Sequence, residues 1–128
     1  MELLNYKYLC NDAIDFCRSL PTGSVKLIIT SPPYNIGKEY ETKSSIDEYI
    51  GKMLPILDEI SRVLSDNGSV CWQTGNFVDN GEVFPLDIYF YPYFKKLGLH
   101  LRNRIIWHFG HGLHCTKRFS GRYETILW

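Results

Sequence analysis

Residues 30–34 read Thr-Ser-Pro-Pro-Tyr, an order suited to gripping an amine. Pro32 and Pro33 fix φ and carry no N–H, so the backbone there offers stiff carbonyl acceptors rather than a flexible loop of donors. An exocyclic amine on a nucleobase is a poor nucleophile because its lone pair is delocalised into the ring. Acceptors that draw its hydrogens out of the ring plane localise that pair. Ser31 Oγ and the Pro32 carbonyl are candidates for those acceptors. The Tyr34 ring offers a flat surface on which an extruded base can stack, gaining about 1–3 kcal/mol toward the cost of unstacking. The same residues also read as a rigid turn that does no more than end a strand.

A second group of chemically capable residues is His108, His111, His114 and Cys115, spaced H-x2-H-x2-H-C. These are zinc-type ligands. Strand alternation sends His108 and its neighbours to different faces, no second cluster completes a known spacing, and Gly110 and Gly112 suit a hairpin loop. No metal site is therefore expected. Cys10, Cys17, Cys71 and Cys115 show no C-x-x-C spacing, and three have the apolar or aromatic neighbours of small buried thiols, so the cysteines read as reduced.

The formal net charge of zero conceals an asymmetry. Residues 1–94 hold seven basic and thirteen acidic residues, net −6, whereas residues 95–128 hold seven basic residues and one acid, Glu124, net +6, with all four histidines. A segment bearing Lys95, Lys96, Arg102, Arg104, Lys117, Arg118 and Arg122 is what a phosphate backbone attracts, or else a set of solvated strand and loop charges. At 45% hydrophobic and 15% aromatic, the 128 residues read as one globular domain rather than a disordered chain. No apolar run reaches the roughly 20 residues of a bilayer helix and the first residues do not form a signal peptide, so the expected location is cytoplasmic, with no membrane contact.

The elements that must carry these residues alternate between strand and helix. Tyr6–Cys10 reads as a short strand, followed by a helix capped by Asn11 or Asp12 and running to about Leu20, then a Pro-Thr-Gly turn. Val25–Thr30 is β-branched and apolar on both faces, as an interior parallel strand covered by helices on each side would be. Ser45 and Glu48 form a capping box for an amphipathic helix with apolar residues at 46, 49, 50, 53, 54, 57, 60 and 64, which Pro55 should kink or split and Asp66-Asn67-Gly68 should close. Ser69–Thr74 is a third strand, followed by a Gly and Asn rich turn. The aromatic stretch Phe84–Leu97 suits either a helix carrying Pro92 or an irregular packed segment. Leu101–Phe109 and Tyr123–Trp128 read as a hairpin. The pattern is an open α/β sheet, and Thr30–Tyr34 lies beyond the carboxyl end of one of its strands, where ligands bind in such sheets.

Three stretches together resemble a known family. LCNDAIDFCRSLPTGSVKLIITSPPYNIGK at 9–38, LDEISRVLSDNGSVCWQTGN at 57–76 and RNRIIWHFGHGLHCTKRFSGRYETILW at 102–128 are similar to the DNA amino-methyltransferases, which methylate adenine N6 or cytosine N4 from S-adenosylmethionine and carry a D/N/S-P-P-Y signature. The order matches the permuted subgroup often called beta, in which the catalytic half precedes the cofactor half. The resemblance implies a partial Rossmann-like methyltransferase sheet with a C-terminal antiparallel hairpin. It implies Ser31, Pro32, Pro33 and Tyr34 as catalytic residues, Asp12, Thr30 and Ser31 toward the cofactor, and Asn35, Lys38, Lys117, Arg118 and Phe119 toward double-stranded DNA. Asp12 has a plain alternative as a helix cap, and Phe119 one in hairpin packing. Serine at the first motif position leans toward the cytosine N4 members, with the base left open. Methyl transfer is direct, without a metal.

The resemblance also implies a deficit. That family's cofactor half carries an F-x-G-x-G loop, and this string does not occur in the sequence. The expectation is an incomplete catalytic domain whose missing strands would lie between Tyr6–Cys10 and Val25–Thr30, inactive unless completed by self-association or by a polypeptide carrying F-x-G-x-G. The alternative function is a non-catalytic DNA- or protein-binding remnant of such an enzyme.

Overall fold

The computed structural model describes residues 5–39, 41–112 and 114–128. Its longest helix grows from the capping box. Ser45 Oγ accepts from Glu48 N while the Glu48 carboxylate accepts from Ser45 N, and Asp47 and Glu48 place negative charge in the first turn. In chain order the helices are α1 (Ala13–Arg18), α2 (Ile46–Val63) and α3 (Leu86–Lys96). The strands are β1 (Val25–Thr30), β2 (Leu64–Thr74), β3 (Asn76–Asp79), β4 (Glu82–Pro85), β5 (Arg104–His108) and β6 (Tyr123–Leu127).

β1 and β2 pair in parallel and β6 joins β2 antiparallel, followed by β5, giving the order β1-β2-β6-β5. β3 and β4 make a separate hairpin. The expected open α/β sheet with a C-terminal antiparallel hairpin is what forms. Cross-strand partners share a face, so the registers Thr30↔Trp72, Trp72↔Leu127 and Thr74↔Thr125 put Ile28, Val70, Trp72, Thr74, Thr125 and Leu127 together on one side. On that side α2 and α3 build the core. Trp72 stands edge-on to Phe90 and Phe94 at 5.4 and 5.7 Å between centroids, and Tyr49 meets Phe90 at 6.1 Å. Leu57, Leu86 and Phe90 are wholly buried. Asp87, buried at the start of α3, accepts from Ile88 N and pairs with Arg104 of β5 at 2.5 Å, which ties the helix to the hairpin.

Four expectations about the elements are revised. Tyr6–Cys10 is not a strand: these residues are exposed coil, and without a paired neighbour an extended segment has no ladder to join. β1 is an edge strand covered on one side only, with Leu27 and Ile29 exposed by 54% and 73%. Pro55 neither splits nor ends α2, because it removes one backbone donor while Tyr49, Leu57, Ile60 and Val63 keep the buried face continuous across it. Finally, Asp66-Asn67-Gly68 does not close that helix. The helix stops at Val63, and the registers Val25↔Leu64 and Leu27↔Ser69 show residues 65–68 looping out within the β1–β2 pairing, where Lys26 bonds Asn67. The thiols are less buried than expected, Cys10 being exposed and Cys17 and Cys71 half-buried.

Arg62 fixes α1 against α2: its guanidinium donates to Leu20 O, Thr22 Oγ1 and Cys17 O and pairs with Glu59. No described helix is long and apolar enough to cross a membrane.

Candidate active site at the carboxyl end of the sheet

Beyond Thr30 the chain leaves β1 and folds back on itself. Buried Tyr49 of α2 donates its hydroxyl to the Pro33 carbonyl at 2.5 Å. Asn35 adopts φ +62°, a left-handed conformation that asparagine tolerates better than most side chains. The Glu41 carboxylate then collects the amides of Asn35 and Ile36 at 2.8 and 2.9 Å. The Asn35 side chain is 1% exposed and spends both ends on Ser44, donating to its carbonyl at 2.7 Å and accepting its amide at 2.8 Å. Two prolines, one left-handed residue and two polar clamps therefore hold the Ser31–Tyr34 segment in one conformation.

Tyr34 links this loop to strands far away in sequence. Its hydroxyl lies 2.6 Å from Ser31 Oγ and donates to Glu124 Oε2 of β6 at 3.3 Å, and Gln73 of β2 donates to the same carboxylate oxygen at 2.7 Å. Its ring rests against Gly75, where a Cβ would stand 3.0 Å from Tyr34 Cδ2 and 3.2 Å from Cε2, so a larger residue there would press the ring back by a few tenths of an ångström. Burial pushes the Tyr34 phenol above its ordinary pKa, and the Glu124 carboxylate adds to this against the opposing hydrogen bond from Ser31. The Tyr49 phenol is pushed far higher, chiefly by burial and further by Glu41 and Tyr34.

Ser31 is exposed at the strand end, and among the described residues its Pro32 carbonyl neighbour accepts no hydrogen bond, so two acceptors are available where the sequence puts them. Thr30, half-buried, pairs with Trp72. Asp12 caps α1, its Oδ1 accepting from Ile14 N at 2.9 Å and Asp15 N at 3.3 Å. Asn35 is reassigned: the DNA contact expected of it has no free group, because burial and Ser44 occupy its amide.

Lys38 is exposed in the loop after the motif. Because His108 pairs with Tyr123 and Thr74 with Thr125, the connection carrying Lys117, Arg118 and Phe119 emerges at the carboxyl ends of β1 and β2, the same end as Ser31. Phe119 is 99% exposed, which rules out hairpin packing. The basic segment divides. Lys117, Arg118 and Arg122 belong to the motif end, whereas Lys95 and Arg102 line a cavity of about 480 Å³ at the opposite end with Asp66, Gly68 and Trp128. Among the described residues no three His, Cys, Asp or Glu side chains converge as metal ligands, and His111 packs against Phe109 instead.

Sequence reasoning missed Glu41, Tyr49, Gln73, Gly75 and Glu124. One of them left a visible signal, since Glu124 is the sole acid among residues 95–128.

Comparison with known proteins bears on the family and the fold. The family model for N6/N4-type DNA methylases matches residues 25–128. The chain is 46% identical over 118 residues to the type II methyltransferase M.BglII of Bacillus subtilis, covering 91% of this chain and 33% of that protein. It is 30% identical over 120 residues to the DNA adenine methyltransferase YhdJ of Escherichia coli, covering 91% and 38%. A DNA modification methylase of Thermus thermophilus solved with S-adenosyl-L-methionine superposes with a TM-score of 0.72 at 28% identity, over 91% of this chain and 49% of that one. The cytosine-N4-specific PvuII methyltransferase superposes at 0.76 with 19% identity, over 92% and 46%, a likeness of fold. The chain thus spans about a third of those curated relatives and about half of those solved structures. With a matching family model over most of its length and the Ser-Pro-Pro-Tyr loop at the carboxyl end of its parallel strand, the chain belongs to the N6/N4-type DNA methylase family.

Proposed function

We propose that this chain is the catalytic portion of a DNA methyltransferase that moves a methyl group from S-adenosylmethionine to the exocyclic amine of a flipped cytosine (N4) or adenine (N6). The observation that carries this is the clamped Ser31–Tyr34 loop, with an exposed serine and a Pro32 carbonyl that accepts no hydrogen bond among the described residues, at the end of β1. Ser31 Oγ and Pro32 O accept the two amine hydrogens and so return the lone pair to the nitrogen. Tyr34 and the exposed Phe119 offer rings to the base, and Lys38, Lys117 and Arg118 hold the phosphates on either side. Rate comes from orientation, which the rigidity of the loop supplies in advance.

Bound S-adenosylmethionine supplies the electrophilic methyl. The described residues fit it in part: Thr30 and Ser31 offer a strand end, and the exposed Asp12 carboxylate spends only Oδ1 on capping α1. We place the rest of that site on polypeptide outside these residues, a further segment, a second copy or a companion bearing F-x-G-x-G. The edge strand β1 and the uncovered side chains of Leu27, Ile29, Ile105 and Trp107 are the surfaces it would cover.

The test incubates the chain, with and without such a companion, with duplex DNA and methyl-labelled donor, then digests the DNA to nucleosides. Labelled N4-methylcytosine or N6-methyladenine, lost in Ser31→Ala, is expected. An unlabelled digest in both arms refutes the transferase, and saturable donor binding by the chain unaided refutes the divided cofactor site.

A further inference from the structure

A serine facing an amine has a difficulty that a carboxylate would not. Its hydroxyl is donor and acceptor at once, and a proton turned toward the substrate blocks the lone pairs the amine hydrogens need. Something must take that proton. Tyr34 Oη is 2.6 Å from Ser31 Oγ, a distance that by itself leaves the direction of the bond open. The phenol has one proton, however, and its other partner is a carboxylate oxygen, Glu124 Oε2 at 3.3 Å, which accepts. If Tyr34 donates there, Ser31 must donate to Tyr34.

The carboxylate is itself held in place. Gln73 Nε2 donates to the same oxygen at 2.7 Å, and Gly75 lets the Tyr34 ring approach closely, since a Cβ there would stand 3.0 Å from it. We propose that Glu124 is a positioning residue that fixes a one-way series of donors, Ser31 to Tyr34 to Glu124, so that Ser31 Oγ presents only lone pairs to the substrate amine. No proton is transferred along it; the residue sets an orientation. The inference rests on the amine methylation proposed above and names which atom makes a neutral serine adequate for it.

Kinetics on the methylating protein provide the main test. Glu124→Ala should lower kcat by about tenfold to a hundredfold, the range of a charge-assisted hydrogen bond, with the KM for DNA little changed. Glu124→Gln keeps an acceptor oxygen where both donors point and should recover most of that loss. In a Tyr34→Phe background, Glu124→Ala should cost less than about twofold, because the residue acts through the phenol that has gone. Independent, multiplying effects of the two substitutions would overturn the proposal, as would Glu124→Gln as damaged as Glu124→Ala.

A second measurement needs no catalysis. Carbon-13 NMR of the tyrosine ring carbons, with Tyr34 assigned by Tyr34→Phe, should show the Tyr34 titration midpoint falling in Glu124→Ala; an unmoved midpoint overturns the proposal. A wild-type protein that methylates no DNA refutes the functional reading and its substrate amine, while the Tyr34 midpoint still tells whether Glu124 takes the phenol proton.

Discussion

Replacing Tyr49 with phenylalanine isolates one clamp of the candidate loop. The substitution removes a hydroxyl that donates to Pro33 O at 2.5 Å and keeps the ring that stands edge-on to Phe90 at 6.1 Å. Pro33 is exposed, so water replaces the lost donor and the carbonyl is not orphaned. The cost at neutral pH is then one net hydrogen bond, about 1 kcal/mol, or a fall in Tm of roughly 3–5 °C at this size. The alkaline limb gives the sharper signature. The Tyr49 phenol is raised above its ordinary value, first by burial and then by Glu41 and Tyr34. For a phenol whose folded pKa exceeds its unfolded one, the associated stability is complete below the unfolded value of ~10 and is lost as pH climbs toward the folded value. Tyr49→Phe lacks this loss, so the gap between the two proteins should shrink by about 1.4 kcal/mol per pH unit above ~10 and close near pH 11. Urea melts at pH 7, 9, 10 and 11, followed by tryptophan fluorescence, measure the gap directly. A gap that stays constant or widens above pH 10 would refute the reasoning, because the phenol would then titrate as it does in the unfolded chain.

Gly75→Ala brings a Cβ to 3.0 Å from the Tyr34 ring, so stability should fall by about 1–3 kcal/mol on denaturant melts and DNA methylation by more than the same loss imposed elsewhere, since the displaced ring carries Ser31 with it. Phe119→Ala should leave the melting curve within about 0.5 kcal/mol of wild type, because the ring is 99% exposed, yet weaken binding to duplex carrying an unpaired target base, as measured by fluorescence anisotropy.

Local pattern carried the elements that neighbouring residues determine. The capping box Ser45/Glu48, the α2 stripe and the apolar run 25–30 are all legible because a helix or a strand repeats its own environment every few residues. Burial on each side of that run was not legible, since an apolar strand reads alike whether one face or both are covered; Leu27 and Ile29 turned out exposed. Pro55 was read by its intrinsic cost, whereas the face of α2 packed on Trp72 and Phe90 outweighs one missing donor. Within the candidate site, the Ser31–Tyr34 segment could be read as one unit because its four residues are contiguous. Asn35 was misread because its type suits either a polar contact or a left-handed turn, and φ +62° with Ser44 as partner selects the second.

Glu124 belongs to a different category, since it lies 90 residues from Tyr34 and meets it only through strand pairing. Its placement is decided by register. Thr74↔Thr125, Gln73↔Ile126 and Trp72↔Leu127 put Glu124 on the side of the sheet away from α2 and α3, beside Gln73, and Leu127 in the core. A slip of one residue would exchange the faces, turning Glu124 into the apolar core and Leu127 out of it. Burial of Leu127 and Thr125 on one side of β6 thus holds the carboxylate at the Tyr34 hydroxyl on the other. On the proposed series of donors, the orientation of the Ser31 hydroxyl then depends on core packing under the sheet, and Leu127→Ala should loosen the Tyr34–Glu124 contact without touching either residue, read as a fall in the Tyr34 titration midpoint.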